Sequence, residues 1–288
     1  MAGPSTATAT ATADLASRPV TTRHVLTVDL GTSGPKAAVV SEEGRVVGSS
    51  RASVRTAFGV GGAATQDAEA VWSATVEACT GALADAGVEP GSFVAVVCSA
   101  QYSSVVPVAA DGTPVGEMVT WMDQRGRPKA LKRLPGYPKG ADTPVQLLRW
   151  LRTHGLPPIS GGMSLTHMRH IRYAQPEVYR ETRAFLEPVD YLTARLTGRP
   201  TANQCSSFMM LLADNRRTGT VGWDAELVAQ SLIDPDRLPE SVPVGSVVGP
   251  LRPDVAEALG LPATVPVLSG INDTQAGAVA AGAFSGDH

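Results

Sequence analysis

The chain has 288 residues, 43% hydrophobic and 18% charged, with a formal net charge of −3. That is apolar material for one large core or two ordinary ones, and the near-neutral balance gives no general attraction to nucleic acid or an anionic membrane. Cys79, Cys98 and Cys205 stand far apart with no CxxC pair, so neither a zinc knuckle nor a disulfide framework is signalled and a reducing cytoplasm is the expected compartment.

Residues 1–22 are rich in Ala, Thr and Ser and lack the basic start and apolar stretch of a signal peptide, so a disordered tail is expected there. No uninterrupted run of about 18 apolar residues is present, and no transmembrane helix is expected. From residue 23 onward, "HVLTVDLG" reads as a buried strand entering a tight turn. "KAAVVS" and "VVGSSRASV" continue it as a three-stranded antiparallel meander. Arg55 to Thr65 reads as a glycine-rich loop. Asp67 is placed to cap a helix that runs to about Ala86 and stops at Gly87. "FVAVVCS" follows as a central strand and "SVVPVAADG" as a further strand and turn.

This β-β-β-α-β order departs from steady βαβ alternation. It points to an α/β domain with a mixed sheet of ribonuclease-H-like type, β-β-β-α-β-α with helical insertions. From Gln124 to Pro200 the pattern is helical and loop-rich, with "TPVQLLRWLRTHG" and "PEVYRETRAFLEPVDYLTARLTG" at helical spacing. "GWDAELVAQSL" is a short helix, "VPVLSG" a late strand, and Asp273 to Ala283 a final helix of small residues suited to close backbone packing.

Several stretches carry chemistry. "DLGTSGPK", Asp29 to Lys36, offers a carboxylate, backbone N–H groups and hydroxyls at a strand-to-turn junction, a pattern that cradles phosphates and holds Mg²⁺ through water. An ordinary hairpin turn reads the same. "WMDQRG", Trp121 to Gly126, sets an aromatic ring beside a carboxylate and a guanidinium, the groups that bind polyols; the plainer reading makes Asp123 the N-cap of a surface helix. Gln101, Tyr102 and Ser103 follow the central strand, where open α/β sheets place ligands, and a plain polar strand end reads the same. His167 and His170 sit at i, i+3 on a helix, but with no third metal ligand beside them they read as two solvated histidines. The basic stretch Arg125 to Lys139 reads as a solvated helix face.

In order along the chain, "DLGTS", "QDAEAVW", "AQYSS", "WMDQRG", "PEVYRETRAFLEPVDYLTARLTG", "IDPDRLPESVPVGSVVGPL" and "GINDTQAGAVAAGAF" resemble the FGGY family of carbohydrate kinases, in the actin/hexokinase/Hsp70-like superfamily. The resemblance covers Val25 to Phe284. It implies ATP and Mg²⁺ as cofactors, with Asp29 organising the metal through water and Gly31, Thr32 and Ser33 facing phosphate. It implies that Gln101, Tyr102, Ser103, Asp123, Arg125 and Asp273 line a sugar site and that Asp273 is the general base.

There are departures. Some xylulose kinases have Gly-Gln-Met-His-Gly where this chain has Ala100 to Ser104, and glycerol kinases have Asn-Gln-Arg-Glu, so neither substrate carries over. Family members run to about twice this length, and the resemblance implies that a C-terminal domain with a second phosphate loop and the adenosine pocket is missing after His288. The chain alone is then expected to be inactive, to bind a sugar or polyol, and to find its partner in a separate C-terminal domain or in self-association. A sugar-binding or regulatory module without catalysis is the alternative. An Hsp70-like ATPase or a sugar-responsive repressor is disfavoured by "WMDQRG" and by the lack of a helix-turn-helix.

Overall fold

A computed structural model describes residues 22–283. All but the last residue of the expected N-terminal tail, and Phe284 with the four residues after it, lie outside the described residues. Strands β1 (His24–Gly31), β2 (Gly34–Ser41) and β3 (Val46–Arg51) form the expected antiparallel meander. Gly34 closes the β1–β2 turn at φ +134°, and a Cβ there would collide with the Ala52 carbonyl. The stretch read as a loop contains a hairpin instead, β4 (Ala57–Gly59) with β5 (Ala63–Gln66). Its small residues carry no alternation that sequence could register.

Helix α1 (Ala68–Ala86) starts where expected: the Asp67 side chain accepts the N–H groups of Glu69 and Ala70, and Gly87 ends the helix in a left-handed conformation. Strand β6 (Phe93–Ala100) then pairs parallel with β1. Beyond it come β7 (Val106–Val108), β8 (Met118–Val119), α2 (Pro128–Leu131), α3 (Pro144–Thr153), α4 (Ser164–Ala174) and α5 (Pro176–Glu181). The basic stretch thus holds only a single helical turn, followed by turns. The long helical reading of 176–198 breaks into α5, β9 (Ala184–Leu186) and α6 (Pro188–Thr197). Pro188 starts α6, and the apolar residues before it pair with β7. The chain finishes with β10 (Thr201–Ala202), α7 (Ala225–Ser231), β11 (Glu240–Ser241), β12 (Val247–Pro250), α8 (Pro253–Leu259), β13 (Pro266–Asn272) and α9 (Asp273–Ala280).

The central sheet has the order β12-β13-β6-β1-β2-β3, mixed as expected for the ribonuclease-H-like type. One face, carrying Leu26, Val28, Leu30, Val39 and Val96, packs on α1, α6 and α8. The other presents half-buried Thr27, Asp29, Ala38, Val97, Ser99 and Ile271, and borders a groove of about 780 Å³. A second core, around Trp150, Leu165, Met168, Ile171, Phe185 and Leu212, sits in a helical lobe. The β7–β9 ribbon is the wall between the two cores: Val106, Val108, Ala184 and Leu186 face the sheet core, Val105 and Phe185 the lobe.

One expectation fails here. His167 and His170 are buried rather than solvated, 0% and 7% exposed, because α4 lies inside the lobe. The Gly/Ala-rich α9 buries no residue. No helix among the described residues is long and apolar enough to cross a membrane, and no cluster of three metal-ligating side chains occurs among them.

Candidate active site

Strands β1, β6 and β13 run parallel, so their C-terminal ends, each leading into a loop or helix, converge on one edge of the sheet. Gly270 permits this convergence: a Cβ there would collide with the Cys98 carbonyl, so only glycine lets β13 approach β6 so closely. At this edge lies a cavity of about 340 Å³ lined by Thr32, Gln101, Tyr102, Ser103, Trp121, Gly162, Asp273 and Thr274. Five residues expected at a functional site (Thr32, Gln101, Tyr102, Ser103 and Asp273) meet here although up to about 240 residues separate them in sequence.

The floor is a fixed polar chain. Trp121 Nε1–H donates to Thr32 Oγ1 at 3.1 Å, and the Thr32 hydroxyl donates to Gln101 Oε1 at 2.7 Å. Gln101 Nε2–H reaches Gln66 Oε1 at 3.4 Å, while Gln66 Nε2–H holds the Thr32 carbonyl at 2.7 Å. Gln101 is 3% exposed and both ends of its amide have partners, whereas Trp121 leaves 46% of its surface open. Ser103 adopts φ +58°, a left-handed conformation uncommon outside glycine.

Asp273 is the first residue of α9 and is exposed. It does not cap that helix. Asn272, fully buried, does so: its Oδ1 accepts the Gln275 N–H at 3.1 Å while its Nδ2–H donates to the Cys205 carbonyl at 3.1 Å. Among the described residues the Asp273 carboxylate has only the neighbouring Thr274 hydroxyl, at 3.4 Å, and so is free to engage what enters the cavity.

Asp123 and Arg125 lie behind this wall, and neither lines the cavity. Asp123 is no helix cap; it is fully buried and accepts the backbone N–H of Ala64 (2.9 Å) and of Arg125 (2.8 Å) and the Arg125 guanidinium (2.6 Å). Burial pushes its carboxyl up, but the guanidinium and the two N–H groups outweigh that and hold it below its ordinary range. His167 and His170 face this pair, and burial pushes both down to about 4.

On the other side of the Gly31–Gly34 turn, Asp29 borders the sheet-face groove. Its Oδ1 accepts the Ser99 hydroxyl at 2.9 Å, and Lys36 Nζ stands 3.7 Å from Oδ2. The N–H groups of Thr32 and Ser33 donate to no backbone or side-chain partner among the described residues, and Ser33 is exposed. Two idle N–H groups beside a half-exposed carboxylate fit a phosphate with a hydrated divalent ion.

Asn272 stands out in the sequence as an unusual neighbour of Asp273, but its capping role was not read there, although an Asn before a helix is a signal for it. Gln66 lies in the quoted stretch "QDAEAVW" without a role being legible, and Gly162 and Thr274 escaped the sequence reading, since each acts only through a tertiary contact.

Residues 24–280 match the model of the FGGY family of carbohydrate kinases, N-terminal domain. The chain belongs to that family. It is similar to a xylulose kinase of Streptomyces coelicolor, 32% identical over 90% of this chain and 50% of that protein. Its fold is similar to that of a xylulose kinase from Rhodospirillum rubrum, with a TM-score of 0.78 at 21% identity over 91% of this chain and 51% of that one. It is also similar to a Plasmodium falciparum glycerol kinase with ADP, with a TM-score of 0.75 at 16% identity over 92% and 51%. This FGGY chain thus spans about half the length of the relatives it matches.

Proposed function

We propose that this FGGY domain is the acceptor-binding part of an ATP-dependent kinase that phosphorylates a hydroxyl of a neutral sugar or polyol, with Asp273 as general base. The observation that carries this reading is the uncommitted Asp273 carboxylate facing a half-open cavity that also presents Tyr102, Ser103 and Trp121, with Asn272 relieving it of the capping role. Among the described residues the lining has one carboxylate and no Lys, Arg or His. A sugar acid would place its charge against Asp273 without a compensating cation, so a neutral acceptor fits best. The open face of Trp121 suits the C–H face of such a molecule, and Tyr102, Ser103 and Thr274 offer polar partners for its hydroxyls.

MgATP, when bound, supplies the phosphoryl group. In this reading the idle N–H groups of Thr32 and Ser33, with Gly31 giving the backbone room, hold its phosphates, and Asp29 holds the metal through water. Asp123 and Arg125 serve the acceptor by bracing the Trp121 loop. Asp273 orients the acceptor hydroxyl and takes its proton at a carboxylate oxygen as that oxygen becomes nucleophilic.

The test has two arms. Calorimetry of the chain against neutral ketoses, aldoses and polyols, with gluconate as the charged comparison, should find a neutral ligand and no gluconate binding; tight ATP binding with no sugar bound would refute the assignment of the cavity. In an enzyme completed with the C-terminal half of a close relative, Asp273→Asn should lower kcat by about 10²–10⁴-fold with little change in acceptor affinity. A kcat within a few-fold of the parent would leave Asp273 without the role of base.

A further inference from the structure

A fully buried carboxylate stands directly behind the cavity wall and takes no part in the chemistry above. Glu187 ends the stretch after β9 and immediately precedes Pro188, the first residue of α6. It occupies the capping position of α6 yet makes no side-chain cap bond to it, and it has no ion-pair partner among the described residues. Its oxygens point the other way. Oε1 accepts the hydroxyl of Ser164, at the start of α4, in a short contact. Oε2 accepts the Ser104 N–H at 3.3 Å, and the Ser103 N–H faces the same carboxyl. Ser104 carries the connection further, its Oγ accepting the Trp121 N–H at 3.0 Å.

Two segments that line the cavity therefore meet on one side chain, the strand end Gln101–Ser104 and the Gly162–Ser164 entry to α4, and the Trp121 loop joins them through the Ser104 hydroxyl. Between them sits Ser103 at φ +58°, a conformation unfavourable for a non-glycine residue that persists only when its surroundings enforce it. A buried acid without a cation is itself costly, so both unfavourable features converge on the same few atoms.

We infer that Glu187 is a positioning residue that shapes the acceptor cavity by holding the Ser103–Ser104 backbone in its left-handed turn and tying it to α4 and Trp121. The inference rests on the reading of this cavity as the acceptor site for its consequence, and on the hydrogen bonds alone for its mechanism. Burial, reinforced by nearby Asp190, pushes the Glu187 carboxyl well up. A glutamine of the same shape can still accept the Ser103 and Ser104 N–H groups at its amide oxygen and meet the Ser164 hydroxyl with its N–H, so it should replace Glu187 well, while an apolar side chain should not.

The experiment compares Glu187→Gln with Glu187→Leu in the whole chain, with near-UV circular dichroism as the check on folding. Amide NMR of Ser103 and Ser104 and the indole N–H resonance of Trp121 should stay near their parental positions in Glu187→Gln and move together in Glu187→Leu. Affinity for the best neutral acceptor should fall about tenfold in Glu187→Leu, the scale of one lost buried hydrogen bond, and recover to within a few-fold in Glu187→Gln. Unmoved resonances in a folded Glu187→Leu would overturn the positioning role, whether or not any acceptor binds. Moved resonances with acceptor affinity unchanged would overturn the link to binding. Failure of the parent to bind any neutral acceptor would sink the acceptor-site reading instead, and the resonances would still decide the positioning role. Should Glu187→Leu not fold, Glu187→Gln decides, since parental resonances and affinity are required of it.

Discussion

The sheet layer and the helical lobe are held together by different chemistry. The core of the sheet is small and aliphatic: Leu26, Val28, Leu30, Val39 and Val96 against Val71, Ala78 and Ala82 of α1. The lobe instead buries Trp150 together with Arg169, His167 and His170. Arg169 donates to Asp142 at 3.0 Å and to the Ser231 carbonyl at 2.8 Å, and its guanidinium carbon lies 5.6 Å from the Trp150 ring centroid. Aliphatic packing tolerates small shifts, whereas buried polar groups must find particular partners. The cavity lies on the seam. The sheet contributes Asp273, Thr32 and Gln101, and the lobe side contributes Trp121 and Gly162. The group proposed as base stands just past the end of a sheet strand, and the walls that select a ligand stand toward the part specified by polar pairing.

The strongest way to break this contrast is Arg169→Met. It strands the nearly buried Asp142 carboxylate and should cost about 3–5 kcal/mol, read by urea unfolding. Hydrogen exchange should speed up in α4 and α7 while β1 and β6 stay protected, and adding Asp142→Asn should recover part of the loss. Equal loss of protection in sheet and lobe would show that the two cores unfold as one.

A smaller effect comes from pH. His167 is fully buried and its folded-state value lies near 4, below the ordinary 6.5. The native state therefore binds fewer protons than the unfolded chain below pH 6.5. The stability is fully present above pH 6.5 and is lost as pH falls toward 4. At pH 5 the loss should be about 2 kcal/mol from this residue. In His167→Gln the difference between urea midpoints at pH 7 and pH 5 should shrink accordingly; an unchanged difference would place the acid sensitivity elsewhere.

The smallest expected change sharpens the comparison at the seam itself. Thr32→Val removes the hydroxyl that links Trp121 to Gln101 and should cost about 1 kcal/mol. Trp121 fluorescence should shift while the sheet's circular dichroism does not. No spectral change would mean that the indole is held by its loop alone.

How much of this could be read from sequence follows the same division. The meander, α1 with its Asp67 cap and Gly87 stop, β6 and β13 all announce themselves by local period and capping residues. In the lobe, local signals mislead. The segment 176–198 has helical spacing throughout, yet β9 forms because Ala184 to Leu186 find β7, some 78 residues away. The histidines look solvated in a polar-rich helix, and only the folded lobe shows that α4 is enclosed. At the site, Gln101 was legible as a polar residue at a strand end and Thr32 as a turn hydroxyl, though expected toward phosphate rather than in the cavity floor; Asp273 entered only through the family resemblance, and the withdrawal of Asp123 and Arg125 behind the wall had no local signal. Glu187 was invisible for the same reason: its partners Ser104 and Ser164 are 83 and 23 residues distant.

The place of β13 in the sheet has a consequence for how the molecule matures. Its pairing with β6 joins residues about 170 positions apart, so that ladder is among the slowest to close. Asp273 begins directly after that strand. A chain that has completed the meander, α1 and most of the lobe still has an open-ended cavity until β13 docks. Any molecule that grips Asp273 and Tyr102 together recognises only the finished sheet, and so draws late folding intermediates toward the native state by mass action.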